Sequence, residues 1–382
     1  MGTLRLQPAR VGAFTSKAVS NLWSVFDVQL AFYALGLTVI GLLLAYTNSA
    51  AAPLASGSVF GRALMWLALG IMAFTLAASI DYRWFRSFAW PIYFVNIGLL
   101  GVTLAIGSGV GGASRWVSIM GLQFQFSELA KIVMAIVIAR FLTSRGERVG
   151  NLWTILGAGL IVAPPLALVL IQPDLGSSLV FGAIVFGALF VSGASIRWLA
   201  VVVVAGLASI PFVWNNVLAD YQRLRLIRLL DPSSDTQGSL YQVTQSQIAV
   251  GSGGLFGKGL TNGAISDRYL PVNTTDFAYA SLGEQLGFLG SILVLVLFGA
   301  LIWRVLLIGW RSKDPFGLAF AAGIASMLLF QVLVNVGMVI GLMPVTGIPL
   351  PFITHGGASL ISIAFALGVL QSINMRQDRP NW

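Results

Sequence analysis

Apolar positions in this chain come in long unbroken runs separated by short polar interruptions. They show neither the period-two alternation of half-buried strands nor the short alternating segments of a membrane β-barrel. Ten runs stand out, at about 28–47, 60–80, 88–106, 127–143, 152–170, 175–192, 197–214, 277–309, 317–340 and 356–374. A helix needs about 20 apolar residues to cross the hydrocarbon of a bilayer, so each run predicts a transmembrane helix. The first 27 residues are polar, carry Arg5, Arg10 and Lys17, and lack a small-residue cleavage site behind an apolar stretch. They read as a short cytoplasmic tail and not as a removed signal peptide. The expected fold is an all-α polytopic integral membrane protein of about ten transmembrane helices, with residues 1–382 forming one transmembrane domain.

Composition narrows the functional classes. Of 382 residues, 57% are hydrophobic and 9% are charged, where a soluble domain carries about a quarter charged residues. A disordered chain, a fibrous repeat, a coiled coil and a cytosolic enzyme are excluded. The chain has no cysteine and one histidine, His355, so thiol chemistry and His-His metal sites are absent and a Ser-His-Asp triad is disfavoured. A net charge of +9 does not point to nucleic acid here, because basic residues in a membrane protein chiefly set orientation. With the N-terminus inside, 14 of the 22 basic residues fall on the inner face, and both termini come out cytoplasmic. Inner connections are then short, whereas residues 215–276 form one extracytoplasmic loop of about 60 residues between the seventh and eighth spans. Loops of that length usually carry function, so the outer face is the working face.

The polar residues within or beside the spans are the candidates for chemistry, because an ionisable group in hydrocarbon is costly unless paired or wetted. Glu128 and Lys131 lie three apart on one helix face, either as a self-neutralising pair that lowers the cost of insertion or as one wall of a polar cavity. Asp276 precedes the eighth span, where it serves as a helix N-cap, as a general base at the membrane surface, or as both. Gly283 and Gly287 follow on the same face and permit close approach of another element. In Gln172-Pro173-Asp174 the acid reads as the cap of the sixth span, and His355 as a capping or loop residue more readily than as a catalyst. Within the large loop, residues 217–230 alternate leucines with Arg223, Arg225 and Arg228 and predict an interfacial helix, broken by Asp231-Pro232. A glutamine-bearing helix over about 239–250 precedes the glycine run 251–259.

Two glycine patterns are set aside as nucleotide sites. Gly107-x-Gly109-x-x-Gly112 follows no strand, and the spacing around Gly257-Lys258 is wrong for a phosphate-binding loop, with Gly259 in place of Ser or Thr. The second run reads instead as backbone amides able to approach an anion.

Several longer motifs occur in one order: Ser114-Arg115-Trp116, Phe124-Gln125-Phe126-Ser127-Glu128-Leu129-Ala130-Lys131, Gln172-Pro173-Asp174-Leu175-Gly176, Gly251 to Gly259, Leu270-Pro271 with Thr275-Asp276-Phe277, Glu284-Gln285-Leu286-Gly287-Phe288, and Pro344-x-Thr346-Gly347 through Ser359. On these residues the chain resembles the shape, elongation, division and sporulation (SEDS) family, the RodA/FtsW polymerases of bacterial cell walls. The Gly-Leu-Phe-Gly-Lys-Gly run and Pro-Val-Thr-Gly-Ile-Pro-Leu-Pro look more like the elongation (RodA) branch than the division branch. The chain departs from the usual pattern at Gln123, Phe126, Thr275, Gln285 and Thr354-His355. Thr275 stands where the family often has His, which puts an essential role for that preceding histidine in doubt.

The resemblance implies a peptidoglycan glycosyltransferase of the bacterial inner membrane that polymerises lipid II into glycan strands for elongation and cell shape and releases undecaprenyl diphosphate. It implies a class B penicillin-binding protein as transpeptidase partner. It places the family's catalytic carboxylate on Asp276, and its important Trp and Glu/Lys pair on Trp116, Glu128 and Lys131. Among the cations, Arg115, Lys131 and Lys258 suit a diphosphate. A divalent Mg or Mn ion, with Asp276 as a ligand, suits the same chemistry, and no organic cofactor is expected. The rival functions are a flippase or transporter of a lipid-linked precursor, and a division-specific polymerase. A flippase needs access from both faces and often shows inverted repeats, and no convincing repeat is present.

Overall fold

A computed structural model describes residues 25–49, 53–55, 57–107, 115–119, 122–216, 222–223, 227, 239–261, 263, 276–354 and 356–376. Most of the predicted tail, most of the predicted interfacial helix over 217–230, the Asp231-Pro232 break, Leu270-Pro271, Thr275 and His355 lie outside the described residues. The helices are α1 (Val28–Thr47), α2 (Val59–Ser79), α3 (Tyr82–Ser87), α4 (Ala89–Ile106), α5 (Phe126–Arg145), α6 (Leu152–Ile171), α7 (Leu175–Val191), α8 (Ile196–Ala208), α9 (Ile210–Asn216), α10 (Ser239–Ser252), α11 (Ala278–Arg311), α12 (Pro315–Val339) and α13 (Gly357–Arg376).

Each of the ten apolar runs is helical, and eight helical segments among the described residues are long and apolar enough to cross a membrane. Of the other two runs, α7 has only 17 residues, and α5 carries Glu128, Lys131, Arg140 and Arg145. The run at 197–214 is divided at Ser209 into α8 and α9. A departure from the all-α expectation is a short antiparallel hairpin, β1 (Val117–Ile119) with β2 (Leu122–Phe124), in which Val117 faces Phe124. Three-residue strands are too short for periodicity to reveal them.

The burial pattern ranks the helices. In α12 and α13, 72% and 78% of the spanning window is buried, against 6% in α2 and in α8–α9. The first two therefore form the centre and the others present Leu, Val and Phe to lipid.

At one end of the helices a set of ion pairs joins elements distant in sequence. Asp27 caps α1 through Leu30 N–H and pairs with Arg304 of α11 at 2.8 Å. Arg86 of α3 pairs with Asp314, the cap of α12, at 2.8 Å. Burial, with Asp314 alongside, raises the pKa of the Tyr82 hydroxyl. That hydroxyl therefore stays protonated and donates to Asp314 at 3.3 Å. Arg376, at the end of α13, donates to the carbonyls of Ala78 and Ser79, which close α2.

The opposite end is built around a broken helix. Within α11, Gly287 has φ 70° and ψ −166°, far from helical values. Such a break orphans carbonyls before it and amides after it, and neither can be left bare in hydrocarbon. The glycine run fills the gap with backbone. Lys258 and Gly259 N–H donate to the carbonyls of Glu284 and Gln285, at 3.0 and 3.1 Å. Phe288 and Leu289 N–H donate to Gly254 and Leu255 carbonyls, at 2.8 and 3.1 Å. The amides that suggested an anion site are thus spent on the protein itself, at least at Lys258 and Gly259. The predicted glutamine-bearing helix is α10, and its Ser246 and Gln247 side chains donate to the carbonyls of Val339 and Ile340, where α12 ends.

Two substitutions separate docking from simple backbone strain. Gly254 (φ +58°) and Gly257 (φ +80°) both hold left-handed backbone, but a Cβ on Gly254 meets open space whereas one on Gly257 falls 2.2 Å from Gln285 O. Gly254→Ala should cost about 1 kcal/mol. Gly257→Ala should cost about 3 kcal/mol or more through added overlap. Thermal melting in one detergent checks this, and equal losses would show that the loop is not seated in the break.

Candidate functional site

The site lies at the broken-helix end, and α5 supplies its charged wall. Glu128 and Lys131 form an ion pair at 2.6 Å, with the two residues 3% and 1% exposed. Both ions are out of water, so each depends on the other. The carboxylate side of the pair also lines a cavity of ≈ 80 Å³ together with Trp116, Gln125, Asp276, Gly347, Pro349, Thr354, Gly356, Ala358 and Ser359. The charges neutralise one another, and Glu128 also lines the cavity.

The β-hairpin carries Trp116 to that cavity and is anchored at the entrance of α7. Arg115 donates to the Gln172 carbonyl at 3.0 Å and to the Pro173 carbonyl. Asp174 caps α7 as expected, accepting from Ser177 N–H at 3.1 Å. It does more than cap: its other oxygen accepts from the Gln125 amide at 2.9 Å and from Ser177 Oγ at 2.8 Å. Gln125 is thereby held between the cap and the cavity.

Asp276 sits half-buried just before α11. Phe277, and not Asp276, occupies the N-cap position of that helix, and its side chain makes no capping hydrogen bond. The carboxylate lies beside the turn that carries Gly347, where a Cβ would stand 3.8 Å from Oδ2. Its backbone is held from below by Asn335 of α12, fully buried, whose amide donates to Asp276 O at 3.1 Å and to Ile348 O at 2.9 Å. One side chain thus sets the spacing between the acid and the opposite lip of the cavity. Asn335 was visible in the sequence only as an amide interrupting the apolar run 317–340.

Of the sequence candidates, Trp116, Glu128 and Asp276 share the cavity. Lys131 stands behind Glu128, and the guanidinium of Arg115 is engaged with the α7 entrance. Lys258 lies apart from the cavity lining, with its ammonium 2.9 Å from the fully buried Glu284. That pair fastens the glycine loop to the first segment of α11. Among the described residues no group of three His, Asp or Glu side chains is placed to hold a metal.

The cavity continues sideways. Thr354 and Gly356 also line a crevice of ≈ 30 Å³. That crevice shares Thr38, Phe352 and Leu360 with an apolar groove of ≈ 200 Å³ between α1, α2 and α13.

Residues 28–379 match the model of the FtsW/RodA/SpoVE family, described as cell cycle proteins. The chain belongs to this family. Relatives include the peptidoglycan glycosyltransferase MrdB of Escherichia coli (strain K12), 39% identical over 324 residues that cover 84% of this chain and 87% of that protein. Stage V sporulation protein E of Bacillus subtilis (strain 168) is 35% identical over 355 residues, covering 91% and 96%. Among solved structures, a chain from a peptidoglycan synthase complex that coordinates polymerization and crosslinking aligns with TM-score 0.79 at 30% identity, covering 93% of this chain and 99% of that one. The rod shape determining protein RodA of Thermus thermophilus aligns with TM-score 0.71 at 28% identity, covering 94% and 99%.

The buried pair generates a test in this family member. Glu128→Ala or Lys131→Ala leaves one buried ion unpartnered and should cost about 3–5 kcal/mol, while the double variant should be the more stable. If the pair serves only insertion, turnover returns in the double variant along with stability. Because Glu128 faces the cavity, the expected outcome is a double variant that melts near wild type yet stays inactive, read by melting and polymerisation assays on the same preparations.

Proposed function

We infer that this multi-pass bacterial inner-membrane protein is a peptidoglycan glycosyltransferase that polymerises lipid II for wall elongation and cell shape. The observation that carries the reading is the Asp276–Glu128–Trp116 cavity at one end of a helical domain belonging to this family. The MrdB relative, at 39% identity, stands above the FtsW relatives at 34–36%, which favours the elongation branch.

Polymerisation joins an acceptor sugar hydroxyl to the anomeric carbon of a lipid-linked donor. Asp276 takes the proton of the attacking hydroxyl as general base. The new bond is acceptor oxygen to anomeric carbon. The bond from that carbon to the diphosphate breaks, and its electron pair leaves on undecaprenyl diphosphate. Trp116 offers a flat face for a sugar, and Lys131 supplies positive charge behind Glu128, whereas Arg115 and Lys258 are held by the α7 entrance and by Glu284 outside the cavity. A Mg or Mn ion binds through one or two carboxylates together with substrate phosphates. Asp276 with the diphosphate suits it, and the ion would neutralise the leaving group. The apolar groove between α1, α2 and α13 gives the polyprenyl tail a lateral route from the bilayer.

Transport of the same lipid is the lesser reading. Alternating access needs a path to both faces. The end opposite the cavity is crossed by the Asp27–Arg304 and Arg86–Asp314 pairs, while the polar cavity opens at the other.

Asp276→Asn should abolish polymerisation while leaving the melting temperature within about 1 °C of wild type. Wild-type rates in the folded variant would remove Asp276 as the base. Asn335→Ala should lower kcat by about 10- to 100-fold, because a misplaced catalytic group costs that much, with Asp276 itself intact.

A transpeptidase of the penicillin-binding class is the proposed partner, supported by the similarity to a synthase-complex chain. Contacts with the loop over 215–276 would reposition the segment leading into Asp276. Saturating partner should therefore raise turnover in the same detergent, as binding to the active loop conformation demands. Equal rates despite complex formation would leave co-localisation only.

A further inference from the structure

The Asp276 chemistry accounts for one wall of the cavity and leaves another unexplained. Gly356, Ala358 and Ser359 line it from the first turn of α13, a helix of 20 residues. The first α-helical hydrogen bond of this helix runs from Leu360 N–H to Gly356 O. The amides of Gly357, Ala358 and Ser359 precede it, so the helix itself offers them no acceptor, and no described side chain caps them. An independent observation points the same way. Ser359 is 4% exposed and lines the cavity, and its hydroxyl is buried without a hydrogen-bond partner among the described residues. A buried hydroxyl left bare costs about 1–3 kcal/mol, a cost that a hydrogen bond to a bound anion would relieve.

We propose that the first turn of α13, with the amides of Gly357, Ala358 and Ser359 and the Ser359 hydroxyl, is the seat of the donor's diphosphate. The proposal rests on the polymerase reading and adds to it the anion subsite. A helix N-terminus carries about +0.5 of an elementary charge and presents N–H donors to an anion. That matters in a cavity bounded by the carboxylates of Glu128 and Asp276, the first already balanced by Lys131. The indole of Trp66 lies against Gly357, where a Cβ would come 2.0 Å from Cδ2. It covers the turn on the α2 side, and shielding from water strengthens the interaction with an anion. The arrangement also suits the reaction. Nucleophile and leaving group take opposite faces of the anomeric carbon, and here the base and the anion seat come from different elements. When the carbon–oxygen bond breaks, the electron pair passes to a diphosphate oxygen already facing these donors.

The test uses the full-length protein with its transpeptidase partner in detergent and three variants. Ser359→Ala removes the hydroxyl and Ser359→Thr restores it. Gly356→Asp places a carboxylate at the N-cap, where a Cβ has room, its nearest contact being Ser359 Cβ at 3.7 Å. Asp at an N-cap stabilises a helix, so this variant should melt at or above wild type while competing with the anion. The readouts are inhibition of polymerisation and thermal protection by undecaprenyl diphosphate, inorganic pyrophosphate and neutral undecaprenol. Expected are an inhibition constant for undecaprenyl diphosphate raised about tenfold in Ser359→Ala and more in Gly356→Asp, recovery in Ser359→Thr, and no change for undecaprenol. Protection by pyrophosphate alone would assign recognition to the diphosphate itself; protection by the prenyl form only would show that the tail must anchor it, and either supports the seat. Unchanged diphosphate inhibition in both Ser359→Ala and Gly356→Asp overturns it while leaving the polymerase reading intact. A wild-type complex that does not polymerise overturns that reading instead, and thermal protection by the prenyl diphosphate then still decides the seat.

Discussion

In hydrocarbon a backbone amide or carbonyl has no water to fall back on, and the working end of this molecule depends on how that constraint is met at one residue. The left-handed backbone at Gly287 interrupts α11, and the 254–259 backbone supplies the missing hydrogen-bond partners. The first segment of α11 is consequently fixed at its own angle and buried almost throughout. Asp276, at the head of that segment, inherits its position. The Lys258–Glu284 pair and the α10 contacts to the end of α12 tie the same loop to the core. Whatever binds the large loop therefore pulls on backbone that is hydrogen-bonded to the helix that follows Asp276, about two turns beyond it.

The two ends of the helical domain are built differently for physical reasons. One is closed by charged pairs linking α1 to α11, α3 to α12 and α13 to α2. Asp27, Arg86, Asp314 and Arg376 lie at helix termini, and Arg304 reaches Asp27 from about two turns inside α11. The other places a buried ion pair, a carboxylate and bare helix amides around a small cavity. Beside them the Ser359 hydroxyl has no hydrogen-bond partner among the described residues. The ion pairs join the helices at the end opposite the cavity.

A lipid-linked sugar diphosphate also has to present an apolar tail, a charged link and a polar head to one site. The succession of apolar groove, narrow crevice and polar cavity follows that order. Phe352 and Leu360 line the apolar groove and Thr354 and Gly356 the cavity, so the boundary lies at the entrance of α13.

The helical class, the positions of the ten apolar runs and the Asp174 cap were legible in the sequence, because length, hydrophobicity and capping act over a few neighbouring residues. Asp276, Glu128 and Lys131 were legible as anomalies, since a charge in or beside a span demands a reason wherever it is. What local sequence left open was settled by contacts between distant segments. It could not separate a capping Asp276 from one turned to the cavity, nor reveal that Asn335 spans Asp276 and Ile348. It suggested anion-binding amides at 251–259, where the structure spends those of Lys258 and Gly259 on a broken helix 26 residues further along the sequence but adjacent in space. In the sequence Ser359 is only the end of a motif; packing is what buries its hydroxyl with no partner among the described residues. Pattern along the chain determines which segments enter the membrane; which polar groups find partners there, and which are left for a substrate, is decided only when the helices pack, because hydrogen bonds and ion pairs act over a few ångströms between residues up to hundreds of positions apart.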